Sequence, residues 1–296
     1  MSGKLFGLGV GPGDPELLTI KALRLIKESD VIAVPGNVTQ ESVAYQIVKG
    51  VYPELDEKYL VPIPMPMTKD PAVLEENHNK AAQQVESFLR EGKQVAFLTL
   101  GDPTVYSTYL YVHKRILEKG YEAEIVSGIT SFCAVAARLN MGLVEMAEPL
   151  HVIPATYNAK NMDEVLKLPG TKVLMKTGRK MEQVRESIIN SGQKAVMIEN
   201  CGMPDEKIYE TAEAILFPDY RKRTVGEKNM IHFVGAGSGA ADLITLRGKK
   251  FLEEADVVIY AGSLVNPQLL EYTKQGCNIY NSAKMTLEEV LEVMTA

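Results

Sequence analysis

The sequence predicts an α/β protein of more than one strand–helix unit, and three observations carry that prediction. Short apolar runs alternate with amphipathic stretches along the whole chain. Three of those runs end in glycine and turn formers: GVGPGDPELLT from Gly9, LTLGDPTVYST from Leu98, and VSGITSFCAVAARL from Val126. The opening then returns near the other end, where GAGSGAADLITLRG spans Gly235 to Gly248. Leu5–Gly36 aligns without a gap on Ile231–Gly262, with nine identities. They include Gly9/Gly235, Gly11/Gly237, Gly13/Gly239, Thr19/Thr245 and Asp30/Asp256.

The elements follow in order. LFGLGV reads as a buried strand. Pro15 to Ser29 reads as an amphipathic helix, with Leu17, Leu18, Ile20, Leu25 and Ile26 apolar, Asp14 as N-cap and Pro15 at its first position. DVIAVPG is a second strand, and a long polar helix runs from about Asp70 to Arg90. VAFLTL is a strand followed by a helix from about Thr104 to Lys119, and AEIVSG is a strand followed by a helix over Ser131 to Leu139. Beyond the turn-rich PLHVIPATYNAKN, the strands HVIPA, TKVLMK and AVMIEN are separated by two helices. RKRTVGEKN, Arg221 to Asn229, reads as a linker before a strand MIHFVGAG. The expected organisation is an α/β domain over 1–121, a second over 122–228, and a partial third α/β unit over 229–296.

Composition narrows the function. At 46% hydrophobic and 24% charged over 296 residues the chain is ordinary globular material with room for a real core. No apolar run approaches the ~20 residues of a membrane helix, and Met1 leads into a strand rather than an export signal. Three widely spaced cysteines, Cys133, Cys201 and Cys277, suit neither a disulfide framework nor a thiolate zinc site. These features predict a cytoplasmic protein without a membrane partner. A net charge of −6 argues against nucleic acid as a partner but leaves room for a small anionic ligand. His78, His113, His151 and His232 show no metal-ligand spacing, so no protein-held metal is expected.

A strand ending in GxGxG before a helix invites a dinucleotide reading, that of a nicotinamide- or flavin-dependent oxidoreductase. Asp14 opposes it, because it occupies the helix start that a pyrophosphate needs. The acid that would hold a ribose at the end of the second strand is also missing, since Pro35 stands there. In the second loop Asp102 is expected at the C-terminal edge of the sheet, exposed to a ligand; it reads equally as a helix N-cap with Pro103 at N1. Thr130 and Ser131 have the same two readings in the third loop. Three such loops on one sheet edge favour a cleft.

Together these motifs resemble the tetrapyrrole methylases, which use S-adenosylmethionine in cobalamin and sirohaem synthesis. The resemblance runs from Met1 to about Lys228, with MPDEKIYE suiting the family's closing strands. PIPMPMTKD (Pro62 to Asp70) and the full form GITSFCAVAARL resemble the C20-methyltransferases, which act on precorrin-2 or its cobalt-bearing counterpart, cobalt-factor II. The uroporphyrinogen C1/C7 enzymes carry an aspartate and an arginine where this chain has Pro35 and Gly36. The resemblance implies two α/β domains with S-adenosylmethionine in the cleft between them. It also implies cofactor contacts at Pro12, Leu100, Gly101, Asp102, Val105, Thr130, Ser131, Met175 and Cys201. Val105 and Met175 also read as core residues, and Cys201 as a buried small hydrophobe. Lys69, Arg138, Lys176 and Arg179 are candidates for the carboxylates of a tetrapyrrole substrate; any metal arrives inside that substrate. No catalytic base is identified. A homodimer is expected. The segment from Met230 resembles the beginning of a precorrin-4 C11-methyltransferase in which Ser238, Ala240 and Ala241 replace Pro12, Asp14 and Pro15. No second activity is expected of it, and docking to another enzyme of the corrin pathway is one reading of its presence.

Overall fold

The computed structural model describes residues 3–66, 68, 70–212 and 231–295. The chain divides into two compact units, Met1–Ile129 together with Gly226–Ala296, and Thr130–Val225.

The first unit is built on β1 (Lys4–Gly9), α1 (Ile20–Glu28), β2 (Val31–Pro35), α2 (Val43–Val51), β3 (Tyr59–Ile63), α3 (Pro71–Arg90), β4 (Val95–Thr99), α4 (Tyr109–Glu118) and β5 (Glu122–Val126). The strands make one parallel sheet in the order β3-β2-β4-β1-β5. From β1 the chain steps one way to β2 and β3, then doubles back for β4 and β5. Right-handed crossovers therefore place α1 and α2 on one face and α3 and α4 on the other. Leu5, Val31, Val61, Val95 and Phe97 pack on Val85, Leu89, Tyr109, Val112 and Ile116 of α3 and α4. The alternation of side chains turns Leu8, Ile32, Val34, Ala96 and Leu98 to the opposite face, where they too are fully buried. Burial on both faces is why these strands read as unbroken apolar runs.

Two helix boundaries differ from the sequence reading. Pro15–Leu17 is a single 3-10 turn capped by Asp14, and α1 begins only at Ile20. Thr19 divides them, extended in backbone and accepting the Ala22 N–H at 3.2 Å. The helix expected from Thr104 begins at Tyr109. Tyr106 sits at φ +51°, which a right-handed helix does not accept, and the Ser107 hydroxyl takes the Tyr109 N–H at 3.1 Å. The first unit also continues past residue 121, because β5 is the edge strand of its sheet, paired with β1.

In the second unit, α5 (Ser131–Arg138) precedes β6 (Leu150–Pro154), α6 (Ala155–Asn158), α7 (Met162–Leu166), β7 (Thr171–Met175), α8 (Met181–Ser191), β8 (Met197–Glu199) and β9 (Lys207–Tyr209). β6 pairs with β7 in parallel and β8 with β9 antiparallel. Its small core gathers Ala155, Met162, Leu166, Val184, Ile188 and Ala212. The linker expected at Arg221 to Asn229 lies outside the described residues.

The second copy of the opening does not stand as a separate unit; it packs with the first. It contains α9 (Leu246–Glu254), β10 (Val257–Tyr260), β11 (Asn278–Asn281) and α10 (Leu287–Thr295), with β10 and β11 parallel. These repeat the β2–β3 pair of the first copy. The strand expected at MIHFVGAG is not formed over residues 231–235, and Phe233 is 90% exposed. The reason lies in the ladder. In the first copy β1 is held between β4 and β5, and the described residues of the second copy hold no counterpart of either.

Glu86 ties α3 to α4. Its carboxylate is almost buried and accepts from Arg90 at 2.6 Å and from the Lys119 ammonium. Lys119 first, then Arg90, holds it below the ordinary glutamate range. A depressed carboxylate adds stability above its unfolded pKa of about 4.3 and loses it as pH falls through the folded value. Glu86→Gln is therefore expected to lower stability at pH 7 and to flatten the loss of stability below about pH 5, read by urea titrations across pH.

Candidate functional site

Parallel strands end at one edge, so the segments after β1, β4 and β5 meet there. The Val10 N–H donates to the Thr99 carbonyl at 2.9 Å. Gly11 and Gly101 then exchange both backbone bonds, at 2.8 and 3.3 Å. Asp102 brings in the third loop: one carboxylate oxygen accepts the Gly128 N–H at 2.9 Å. The other accepts the Thr104 N–H at 2.7 Å and the Thr104 hydroxyl. The approach is backbone on backbone. A β-carbon at Gly128 would lie 2.2 Å from the Gly101 carbonyl oxygen and 2.7 Å from the Gly9 α-carbon. Gly101 itself holds φ +71°, a conformation that glycine adopts without penalty.

Asp102 therefore differs from the sequence reading. It is 8% exposed rather than presented to solvent, and it caps no helix. Its role in the fold is to pin two loops together. Each carboxylate oxygen accepts about two hydrogen bonds, so the oxygen on Gly128 retains capacity toward a ligand. At the end of β4, the Thr99 hydroxyl is buried without a partner among the described residues. Leu100 is 49% exposed despite following a fully buried strand. It forms one wall of a cavity of about 350 Å³ whose other lining includes Pro35, Gly36, Val38, Ser42 and Ala44, within the ~300–1,000 Å³ of small-ligand sites. Pro12 and Val105 are half-buried in the first and second loops. Sequence reasoning placed the loops but missed Thr99, Gly9, Gly128 and the β2 wall. The only signal for that wall was Pro35-Gly36 at the end of a strand.

The second unit holds the remaining candidates. Thr130 occupies the N-cap position of α5 without making a cap bond, and its hydroxyl is buried without a partner among the described residues. Ser131 is the first residue of that helix. Met175 ends β7, half-buried, and exposed Lys176 follows at φ +55°. Arg138 pairs with Glu206 at 2.8 Å, and Glu206 also accepts the Gly202 N–H at 2.8 Å. One carboxylate thus joins α5 to the turn that carries half-buried Cys201. Lys69 and the side chain of Arg179 lie outside the described residues.

The chain matches the Tetrapyrrole (Corrin/Porphyrin) Methylases over residues 4–216 and again over 230–296. It belongs to that family. It is 38% identical over 208 residues to the probable cobalt-precorrin-2 C(20)-methyltransferase of Methanocaldococcus jannaschii, covering 69% of this chain and 86% of that protein. A 31% match over 281 residues, 88% of this chain, runs to the cobalamin biosynthesis protein CobIJ of Mycobacterium tuberculosis, of which the chain spans 55%. The second copy alone is 66% identical over 61 residues to the cobalt-precorrin-4 C(11)-methyltransferase of M. jannaschii, covering 21% of this chain and 24% of that protein. Among solved structures, the uroporphyrin-III C-methyl transferase of Thermus thermophilus complexed with S-adenosyl homocysteine shares the fold. It has a TM-score of 0.53 at 22% identity, over 75% of this chain and 94% of that one. The chain is thus a methyltransferase of cobalamin biosynthesis that uses S-adenosylmethionine.

The residues of the first unit fit that cofactor. The loops offer a carboxylate at Asp102 with one oxygen in reserve, half-buried Pro12 and Val105, and an apolar wall at Leu100. A cationic sulfonium with a polar amino-acid end matches this set better than a pyrophosphate, which requires positive partners. Gly128→Ala forces a methyl into the Gly101 carbonyl. It is expected to cost about 1–3 kcal/mol of stability and to abolish S-adenosylhomocysteine binding by calorimetry at temperatures where the variant remains folded.

Proposed function

We propose that this chain methylates C20 of cobalt-bearing precorrin-2, with the loops after β1, β4 and β5 as its cofactor cradle. The observation that carries the site reading is the knot of Gly11, Gly101 and Gly128 around Asp102, from which Leu100 emerges as one wall of a ligand-sized cavity. The substrate reading rests on the relatives: the 38% match is named for the cobalt substrate, and so is the relative of the second copy.

Bound S-adenosylmethionine supplies an electrophilic methyl group on sulfur, and a reduced tetrapyrrole supplies an electron-rich carbon. The protein's own work is then positioning. Holding the two partners in line and excluding water can contribute on the order of 7–11 kcal/mol, and no side-chain nucleophile is needed. In this reading Leu100, Gly101 and Asp102 orient the cofactor from the first unit, with Pro12 and Val105 beside them. Thr130, Ser131, Met175 and Cys201 contribute from the second. Lys176, exposed directly after β7, is assigned to substrate carboxylates in the same proposal, with Lys69 and Arg179. Arg138 is assigned a supporting role through Glu206. Homodimeric assembly in the cytoplasm completes the proposal; free cysteines, one of them exposed, suit a reducing compartment.

The test is incubation with S-adenosylmethionine and either cobalt-sirohydrochlorin or precorrin-2, followed by mass and absorbance spectra. One added methyl group on the cobalt-bearing substrate is the expected result. Methylation of precorrin-2 alone would reassign the route, and methylation of neither would overturn the C20 assignment. In a thermal-shift titration, S-adenosylhomocysteine is expected to raise Tm and NAD to leave it unchanged. The reverse would favour the oxidoreductase reading.

A further inference from the structure

The two copies of the opening motif meet each other about an approximate two-fold axis. The Ile20 N–H donates to the Ile244 carbonyl at 3.1 Å, and the Leu246 N–H donates to the Leu18 carbonyl at 3.0 Å. Thr19 faces Thr245 between them in an antiparallel bridge. The repeat maps 18, 19 and 20 onto 244, 245 and 246, so each bond is the image of the other. This is the isologous pattern of a two-fold interface, made here within one chain. Both donors are first residues of helices, α1 and α9, whose N–H groups have no partner inside their own helix. Each copy completes the helix start of the other.

The flanking charges break the symmetry. Arg24 of the first copy reaches Asp242 at 3.3 Å. On the other side Arg247 reaches both Asp14, at 2.5 Å, and Glu16, at 2.7 Å, and its Nε donates to Glu16 at 2.8 Å. The image of Asp14 is Ala240, so only the first copy offers two carboxylates. Lys21, the image of Arg247, turns instead to Glu124 at 2.9 Å. Asp14 follows Pro12 and Gly13 directly, and the same loop is bonded through Gly11 to Gly101. A line of contacts therefore runs from the second copy to the candidate cofactor loops.

We propose that residues 231–295 act as a clamp in cis on the first glycine loop, and that Arg247 is its positioning residue. Arg247 closes over Asp14 and Glu16 and holds the GPGDP segment in the conformation that Gly101 reads. The clamp itself depends only on these contacts; its effect on cofactor affinity rests on the site reading proposed above.

The test uses the full chain with Arg247→Gln, and with Arg24→Gln as a control that breaks the other ion pair between the copies, to Asp242, without touching the loop. Hydrogen exchange over residues 9–17 of the free protein is expected to speed up in Arg247→Gln and to stay at the wild-type rate in Arg24→Gln. S-adenosylhomocysteine affinity is expected to fall about three- to sixfold in Arg247→Gln, the scale of one partly exposed ion-pair cluster, with KM for S-adenosylmethionine rising and kcat unchanged. Arg247→Lys should recover part of both effects. Unchanged exchange in Arg247→Gln, or equal changes in both variants, would overturn the clamp. Failure of the wild-type chain to bind S-adenosylhomocysteine would overturn the site reading instead, with the exchange result still deciding the clamp.

Discussion

The close approach of three glycine-bearing loops constrains everything else in the first unit. Gly9 and Gly128 bring backbone against backbone at separations that leave no space for a side chain, and Gly101 supplies the left-handed turn whose carbonyl Gly128 approaches. That approach is possible because β1 lies between β4 and β5 and all three run parallel. It needs a group to hold it, since glycine contributes no packing of its own. Asp102 is that group, accepting from Gly128 on one side and Thr104 on the other. Burial makes these bonds matter, because an unsatisfied carboxylate at such a site costs far more than a satisfied one gains. Leu100, exposed directly after the buried β4, follows from the same turn.

The second copy of the motif shows what an opening sequence does without its sheet. Its residues keep the local features of the first. Thr245 caps α9 as Thr19 caps α1, Gly237 takes the left-handed conformation of Gly11, and β10 pairs in parallel with β11 as β2 does with β3. The segment equivalent to β1 stays out of strand conformation, because strand structure is a property of pairs. Local signals within a few residues are portable between contexts, whereas ladder bonds are not. The second copy then finds its partner in the first, using the helix starts that both carry.

Much of this was legible in advance. Glycine-ended apolar runs located β1, β2, β4, β5 and the three loops; β3 and α2 were not read, and the helix start read at Asp102–Pro103 lies instead at Tyr109. The repeat was visible from Gly9/Gly235 through Gly36/Gly262. The helix boundaries at Ile20 and Tyr109 were not, because a capping threonine inside an apolar pattern and a left-handed tyrosine leave the periodicity intact. The sequence pattern places Asp102 after a strand but does not say which neighbouring loop closes over it, so its burial carries no local signal. Arg138 was named for its charge, and its engagement with Glu206, 68 residues away, was invisible to any local pattern.

By itself the sequence determined the α/β class, four of the five strands of the first sheet, the position of the glycine loops and the kinship that names the chemistry. Each of these depends on residue types within one or two turns of chain, where hydrophobic period, caps and backbone freedom act directly. Tertiary structure alone decided which loops touch, that Asp102 is buried between them, and that β5 closes the first sheet. It also decided that Arg247 reaches back over more than two hundred residues of chain to Asp14 and Glu16. Those outcomes turn on strand order and on partners far apart in sequence, and a carboxylate or a guanidinium carries no local mark of the group that will meet it.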